Sequence, residues 1–244
     1  MNYKQKALGL LTAGALLAAL PFNAVAKTQA KVEKPPVQVQ YVALGDSLAA
    51  GQTPYKYVDY GYTDFIADYF VKNKYKLADF DNFGVPGYTS ENVKNDVTKS
   101  KKIRKEIKEA THITIDIGAN DLLPKLSTDP AGAIAAVKAN LQTILKTIDS
   151  LNPRVKVYVM GYYNPYPGLS AAEQAKLLPL LKLFNAEIQK AAKDNKDTFV
   201  ATDMLIAKKT AEYLPNPLDI HLSEAGYKAV ASEFWKYIAP AKKK

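Results

Sequence analysis

Residues 37–51 read VQVQYVALGDSLAAG: a strand-like apolar run that stops on Gly45 and delivers Asp46 and Ser47 into a stretch of small residues. Four further stretches share the first part of that pattern, LADFDNF at 77–83, HITIDIG at 112–118, VKVYVMG at 155–161 and TFVAT at 198–202. All are mostly β-branched or apolar and read as strands. Helical patterns separate them. Ile134, Val137, Leu141, Ile144, Leu145 and Ile148 share one face of a segment that starts at Asp129 and Pro130 and stops at Asn152 and Pro153. Ser170 and Glu173 form a capping box ahead of Leu177, Leu181, Phe184 and Ile188, and a last helix begins at Ser223 and buries Tyr227, Val230, Phe234 and Ile238. Strands alternating with helices call for right-handed crossovers and a parallel sheet covered on both faces. The expected fold class is therefore α/β, a three-layer α/β/α sandwich on five strands. Ligands of such sheets bind beyond the carboxyl ends of the strands, so the residues that follow each strand carry the functional question.

Four segments answer to that position: Gly45-Asp46-Ser47 after the first strand, Asn82 to Gly87 after the second, Gly118 to Asp121 after the third, and Asp219 to Ser223 before the last helix. A serine after a strand is by itself an ordinary turn or cap residue. A serine nucleophile needs a base, and the chain offers two histidines. His112 opens an alternating strand and reads as a packed or edge residue. His221 lies in a loop at a helix start, with an acid two residues before it, which suits a base. The oxyanion formed on attack needs fixed donors, and Gly87 offers a main-chain N–H at close approach while Asn120 offers a side-chain amide. Taken singly, Gly87 reads as a turn and Asn120 as a cap.

Together and in this order, GDSLAAG at 45–51, Asn82 to Gly87, GAND at 118–121 and DIHLSEAGY at 219–227 resemble the four sequence blocks of the SGNH, or GDSL, hydrolases. The resemblance runs from about residue 38 to 238. It implies a flavodoxin-like five-stranded parallel sheet, Ser47 as nucleophile and also oxyanion donor through its own N–H, Gly87 and Asn120 as the other oxyanion donors, and His221 as base. One position departs. The family pattern places the acid three residues before the histidine, where this chain has Leu218; its acid, Asp219, is two before. Either Asp219 orients the imidazole, as a triad acid does, or a main-chain carbonyl or water does so and a Ser-His dyad remains. Position 49 is Ala, so this is not the G-x-S-x-G elbow. No cofactor is expected and no metal, since two distant histidines and no cysteine make no ligand cluster.

The ends of the chain read differently from its middle. Lys4 and Lys6, the apolar run 7–20 and Ala24-Val25-Ala26 compose a secretory leader with cleavage after Ala26. An uncleaved anchor is the alternative, although fourteen apolar residues are short for a span; a lipoprotein is excluded, because no Cys follows the apolar run. The expected organisation is a leader at 1–26, a flexible polar linker at 27–37, one hydrolase domain at 38–240 and a basic tail at 241–244. Without cysteine, an exported domain must rely on its core alone. The formal charge of +9 favours anionic surroundings, which outside a cell means wall polymers or a membrane surface. No basic stripe interleaved with aromatics or nucleic-acid-binding motif is present, so no nucleic-acid partner is expected. The run KSKKIRKEIKE at 99–109 reads as a solvated helix face with Ile103 and Ile107 turned inward.

The leading reading is a secreted hydrolase that cleaves a small-molecule or lipid carboxylic ester through an acyl-enzyme: a lipase, lysophospholipase or short-chain esterase. An O-acetyl deacetylase of wall or extracellular polysaccharide is a second reading, and a non-catalytic basic surface protein on a hydrolase scaffold a third. Substrate contacts are expected from two tyrosine groups, Tyr55, Tyr57, Tyr60 and Tyr62 after the nucleophile and Tyr162, Tyr163 and Tyr166 after the fourth strand, with Tyr55 and Tyr162 as representatives. The competing reading is that these rings only pack beneath loops.

Overall fold

The structure is a computed structural model that describes residues 36–239. The leader, the basic tail and all but the last two residues of the linker fall outside the described residues. Five parallel strands form one sheet in the spatial order β2-β1-β3-β4-β5, namely β1 (Gln38–Gly45), β2 (Lys76–Gly84), β3 (His112–Asp116), β4 (Lys156–Met160) and β5 (Thr198–Val200). All five expected strands are present. Three of them end sooner than their apolar runs do, because the chain leaves the ladder after Asp116, Met160 and Val200 to build the loops at the carboxyl edge.

The helices divide by the direction of each crossover. α1 (Ser47–Ala50) and α2 (Tyr62–Lys72) link β1 to β2, and α3 (Ser90–Lys99) and α4 (Lys101–Glu109) link β2 to β3. α5 (Ala119–Leu122) and α6 (Pro130–Leu151) lead to β4, α7 (Ala171–Asp194) leads to β5, and α8 (Asp203–Ala207), α9 (Thr210–Tyr213) and α10 (Glu224–Ile238) follow. From β1 the chain steps outward to the edge strand β2, then back across β1 to β3 and onward. Right-handed crossovers in opposite directions place their helices on opposite faces. Accordingly α2 packs with α10 on one face, and α3, α4 and α7 pack around α6 on the other.

Burial, more than propensity, holds these helices. α6 turns Ile134, Val137, Leu141, Ile144, Leu145 and Ile148 inward, the residues its periodicity selects. At about 1.5–3 kcal/mol for each fully buried aliphatic side chain, that face outweighs any intrinsic helix preference. α10 buries Tyr227, Val230, Phe234 and Ile238, and Phe234 stacks on Tyr62 of α2 with ring centroids 5.1 Å apart. The basic run at 99–109 is broken at Ser100, whose Oγ accepts the Ile103 N–H to start α4; Ile103 and Ile107 are buried and the lysines face outward.

His112 is buried at the start of β3, the end of the sheet away from Ser47, with Nδ1 2.8 Å from Thr111 Oγ1 and its ring against Phe70 and Tyr158. Burial, helped by the charge of Lys156, pushes its pKa down to about 4. The folded protein therefore holds a neutral imidazole, while the unfolded chain takes up a proton near pH 6.5. The contribution is complete above that pH and lost as pH falls toward 4, on the order of 3 kcal/mol across the window. Urea denaturation of wild type and His112→Phe between pH 7.5 and 4 should show a distinctly flatter pH dependence in the variant. Parallel curves would mean that His112 titrates alike in both states.

Candidate active site

β1 and β3 lie side by side, yet the chain departs from them in opposite directions along the sheet. A crevice opens at such a switch point. Ser47 follows β1, Gly87 follows β2 and Asn120 follows β3, so the sheet delivers all three to one edge.

The approach to Ser47 is sterically narrow. Gly45 pairs with Asp116 of β3 and with Gly84 of β2, and a Cβ at Gly45 would lie 2.5 Å from the Asp116 carbonyl oxygen. Only glycine lets the chain turn here and set α1 upon the strand ends. α1 is one turn long; Asp46 Oδ1 accepts the Leu48 N–H at 2.9 Å to cap its start. Asn82 secures it from β2, donating through Nδ2 to the Ala49 carbonyl at 2.8 Å and to Thr63 Oγ1 at 3.0 Å.

Ser47 Oγ lies 2.7 Å from His221 Nε2, and His221 Nδ1 lies 2.6 Å from Asp219 Oδ1. A carboxylate only accepts, so Nδ1 carries the ring proton and Nε2 is left to accept from the serine hydroxyl. The same Oδ1 also accepts the main-chain N–H of His221 at 2.9 Å. This Asx-type turn brings an acid only two residues away against the ring. Leu218, at the position where the family pattern has its acid, is 92 % exposed. Of the two arrangements expected around Nδ1, the structure has the carboxylate. The loop is pinned from three sides: Asn216 Nδ2 donates to the Pro54 carbonyl at 2.9 Å, Tyr163 Oη to the Ile220 carbonyl at 2.7 Å, and Ser223 Oγ to the Glu212 carbonyl at 2.8 Å.

Three donors follow the ends of the first three strands. Ser47 N–H is the first of α1 and has no intrahelical acceptor. Gly87 has φ +85°, a conformation that favours glycine. Among the described residues neither N–H donates to a protein acceptor. Asn120 Nδ2 gives one hydrogen to the Tyr88 carbonyl at 2.8 Å, which fixes the amide and leaves a second hydrogen. Asp121 ties the same turn to the start of α3, accepting Ser90 N–H at 2.8 Å and Ser90 Oγ–H at 2.7 Å.

Ser47, Asn120 and Asp46 form the polar end of a narrow cleft whose remaining wall is apolar, including Leu48, Leu122, Leu177, Phe184 and Ile220; Gly87 is exposed and is not part of that lining. Tyr162 lies in that wall, with Tyr163 beside it. Tyr55 does not. It is 68 % exposed at the tip of a turn closed by the Gln52–Val58 bridge, and lines a separate groove with Tyr57, Tyr60 and Tyr227. Gly51, with φ +80°, turns the chain away from the cleft immediately after α1. Tyr62 is in the core. The acids close enough to share a cation among the described residues, Asp79, Asp81 and Glu106, belong to β2 and α4 rather than to this cleft, and Lys105 already pairs with Glu106 at 3.1 Å.

Two further acids escape the sequence reading. Asp46 and Asp116 are buried side by side, the Asp46 main-chain N–H donating to the Asp116 carbonyl at 3.2 Å and more weakly to Asp116 Oδ2 at 3.4 Å, with no ion pair to either among the described residues. Tyr162 Oη donates to Asp46 Oδ2 at 3.1 Å, and Tyr62 Oη to Asp116 Oδ1 at 2.5 Å. Burial raises both carboxyls, and the neighbouring Asp46 charge adds to the effect on Asp116, which stays protonated well above the usual carboxylate range. Asp46, the other member of the pair, feels the charge of His221, which works against the effect of its burial. Asp46 reads from sequence as a cap, which it also is; an acid ending the apolar strand HITID is the one visible signal of Asp116.

Residues 43–229 match the model of the GDSL-like lipase/acylhydrolase family. Over 223 residues the chain is 25 % identical to an uncharacterized protein of Bacillus subtilis (strain 168), YpmR, covering 87 % of this chain and 86 % of that one. Among solved structures it is similar to the lipase Lip_vut3 from a goat rumen metagenome, at 20 % identity and a TM-score of 0.69 over 82 % of this chain and 96 % of that one. It is also similar to Axe2, an acetylxylan esterase from Geobacillus stearothermophilus, at 16 % identity and a TM-score of 0.65 over 85 % and 97 %.

The buried acid pair makes a stability prediction. As pH rises past the ordinary carboxylate range, the unfolded chain releases the Asp116 proton and the folded one does not, so this group costs stability with increasing pH. Asp116→Asn keeps a donor toward Asp46 and an acceptor for Tyr62 without titrating. Its Tm relative to wild type should therefore become more favourable from pH 4 to 8. Asp116→Ala leaves both partners unsatisfied, at about 1–3 kcal/mol, and should melt several degrees lower. A Tm difference between Asp116→Asn and wild type that does not change with pH would show that Asp116 ionises normally.

Proposed function

This chain belongs to the GDSL-like lipase/acylhydrolase family, and from that premise we propose that it is a serine hydrolase that cleaves carboxylic esters through an acyl-enzyme. The observation that carries the reading is the hydrogen-bonded row from Ser47 Oγ through His221 to Asp219 at the mouth of an apolar cleft.

In this reading Ser47 Oγ attacks the ester carbon while its proton passes to His221 Nε2. The carbonyl oxygen takes the negative charge and is received by the N–H groups of Ser47 and Gly87 and by the remaining Asn120 amide hydrogen. Each such donor, fixed before reaction, is worth about 3–4 kcal/mol. Asp219 holds the ring in the required tautomer and stabilises the imidazolium. Collapse expels the alcohol, which takes the proton back from Nε2. Water then enters, His221 removes its proton, and the acid is released with Ser47 regenerated.

Ser47→Ala should lose p-nitrophenyl butyrate hydrolysis by about 10⁴-fold or more, with His221→Ala similar and Asp219→Asn lower by about 10²–10⁴-fold. An alkyl fluorophosphonate should label wild type at Ser47 and leave Ser47→Ala unlabelled. A wild type that neither turns over ester nor accepts the label would favour the non-catalytic surface protein, and full activity in Asp219→Asn would reduce the site to a dyad.

The sequence of residues 1–26 supports export, and the positive charge supports residence at wall polymers or anionic membrane. Expressed in a bacterial host with its natural N-terminus, the protein should appear outside the cytoplasm with Lys27 as its first residue by N-terminal sequencing. Retention of residues 1–26 on the exported protein would instead point to an anchor. The likeness to an acetylxylan esterase favours a second reading, deacetylation of polysaccharide, which uses the same Ser47 chemistry on a smaller acyl group.

A further inference from the structure

The cleft that begins at Ser47 and Asn120 has almost nothing to offer a hydroxylated ligand. The Tyr162 hydroxyl donates to Asp46 at 3.1 Å and the Tyr163 hydroxyl to the Ile220 carbonyl at 2.7 Å. Asp46 is itself occupied by Leu48 N–H, Tyr162 and Asp116. Beyond them the lining is Leu, Phe, Ile, Ala and Pro. Sugars need convergent polar partners, whereas hydrocarbon needs only an apolar wall.

The inner cleft is also short. Its free volume is about 40 Å³, room for about three water-sized groups at 10–15 Å³ each. Its far wall is shared with a second cavity. Leu126, beyond α5, and Leu177, on α7, line it and also line an outer groove of about 600 Å³, together with Tyr166, Leu169 and Leu180. The two leucines are thus the partition between a short pocket at the nucleophile and a roomy groove that opens to solvent, with Lys176 and Glu173 among its lining residues. Glu173 is engaged in capping α7 through Ser170.

We propose that the substrate acyl chain runs from Ser47 along the inner cleft, passes between Leu126 and Leu177 and continues in the outer groove, so that medium- and long-chain acyl esters, rather than acetyl esters, are the preferred class. This rests on Ser47 being the nucleophile. The acyl group must start at the oxyanion donors, and the apolar cleft is the path that leads from them without stranding a polar group. A chain of about four carbons fills the inner cleft, and each methylene beyond that gains only if the partition parts.

The test is the chain-length profile of kcat/KM on p-nitrophenyl esters from acetate to dodecanoate, for wild type, Leu177→Trp and Leu126→Trp. Wild type should gain at least ~tenfold from acetate to octanoate and stay high at decanoate, since each buried methylene is worth up to about fourfold. An indole at either partition residue should lower the octanoate-to-butyrate ratio by at least ~tenfold. A wild-type optimum at acetate or butyrate with loss by octanoate overturns the proposal, whatever becomes of the variants. So does an unchanged ratio in both variants when circular dichroism shows them folded. Fluorophosphonate labelling of Ser47 separates the two levels: a labelled enzyme restricted to acetate sinks the acyl path and leaves the hydrolase reading standing, whereas an unlabelled, inactive wild type sinks both.

Discussion

The hydroxyl of Ser47 and the imidazole of His221 are 174 residues apart along the chain and 2.7 Å apart in space. Almost every feature of the fold bears on that hydrogen bond. The parallel sheet makes it available, because all strands end at one edge and the loops that follow them have only one region to occupy. The near contact between Gly45 and Asp116 lets α1 settle on the strand ends, which determines where the hydroxyl stands. On the other side, the histidine loop is fastened at Asn216, Ile220 and Ser223 before α10 begins. An enzyme gains from such fixation because the groups need no rearrangement when charge develops.

Three carboxyl groups lie at or beneath the site, and their environments give them different work. Asp219 accepts both the ring N–H and the main-chain N–H of His221 with one oxygen. Asp46 is buried, caps α1 and accepts from the Tyr162 hydroxyl. Asp116 remains neutral beneath it, bonded by Tyr62. Two buried carboxylates side by side would repel strongly in a medium of low polarity, so retaining a proton is the cheaper state. The result is a polar layer under an apolar cleft in which Asp46 and Asp116 are held by hydroxyl and main-chain donors.

Tyr55 and Tyr162 illustrate where sequence proximity misleads. Tyr55 lies eight positions after the nucleophile and points elsewhere, since Gly51 and the Gln52–Val58 bridge reverse the chain before it arrives. Tyr162, more than a hundred residues away, stands in the wall and bonds to Asp46, because β4 ends at the same edge as β1 and Asn185 of α7 holds its main chain on both sides. Asp219 is a related case. Its spacing from His221 departs from the family pattern, and a side chain that folds back on its own loop makes good the missing residue.

Ser47, Gly87, Asn120 and His221 stood out as candidates only through their order and the family resemblance, while periodicity and punctuation along the chain were sufficient for the five strands, the inward faces of α6 and α10 and the α/β class. Those features are local: alternation, helical spacing, glycine and caps act over a few residues, and they need no knowledge of what lies across the sheet. The route of the acid to the imidazole, the buried pairing of Asp46 with Asp116, the exclusion of Tyr55 and the partition at Leu126 and Leu177 arose only on folding. Each depends on groups far apart in sequence meeting in a dry interior, where burial shifts protonation and packing decides which surfaces stay open.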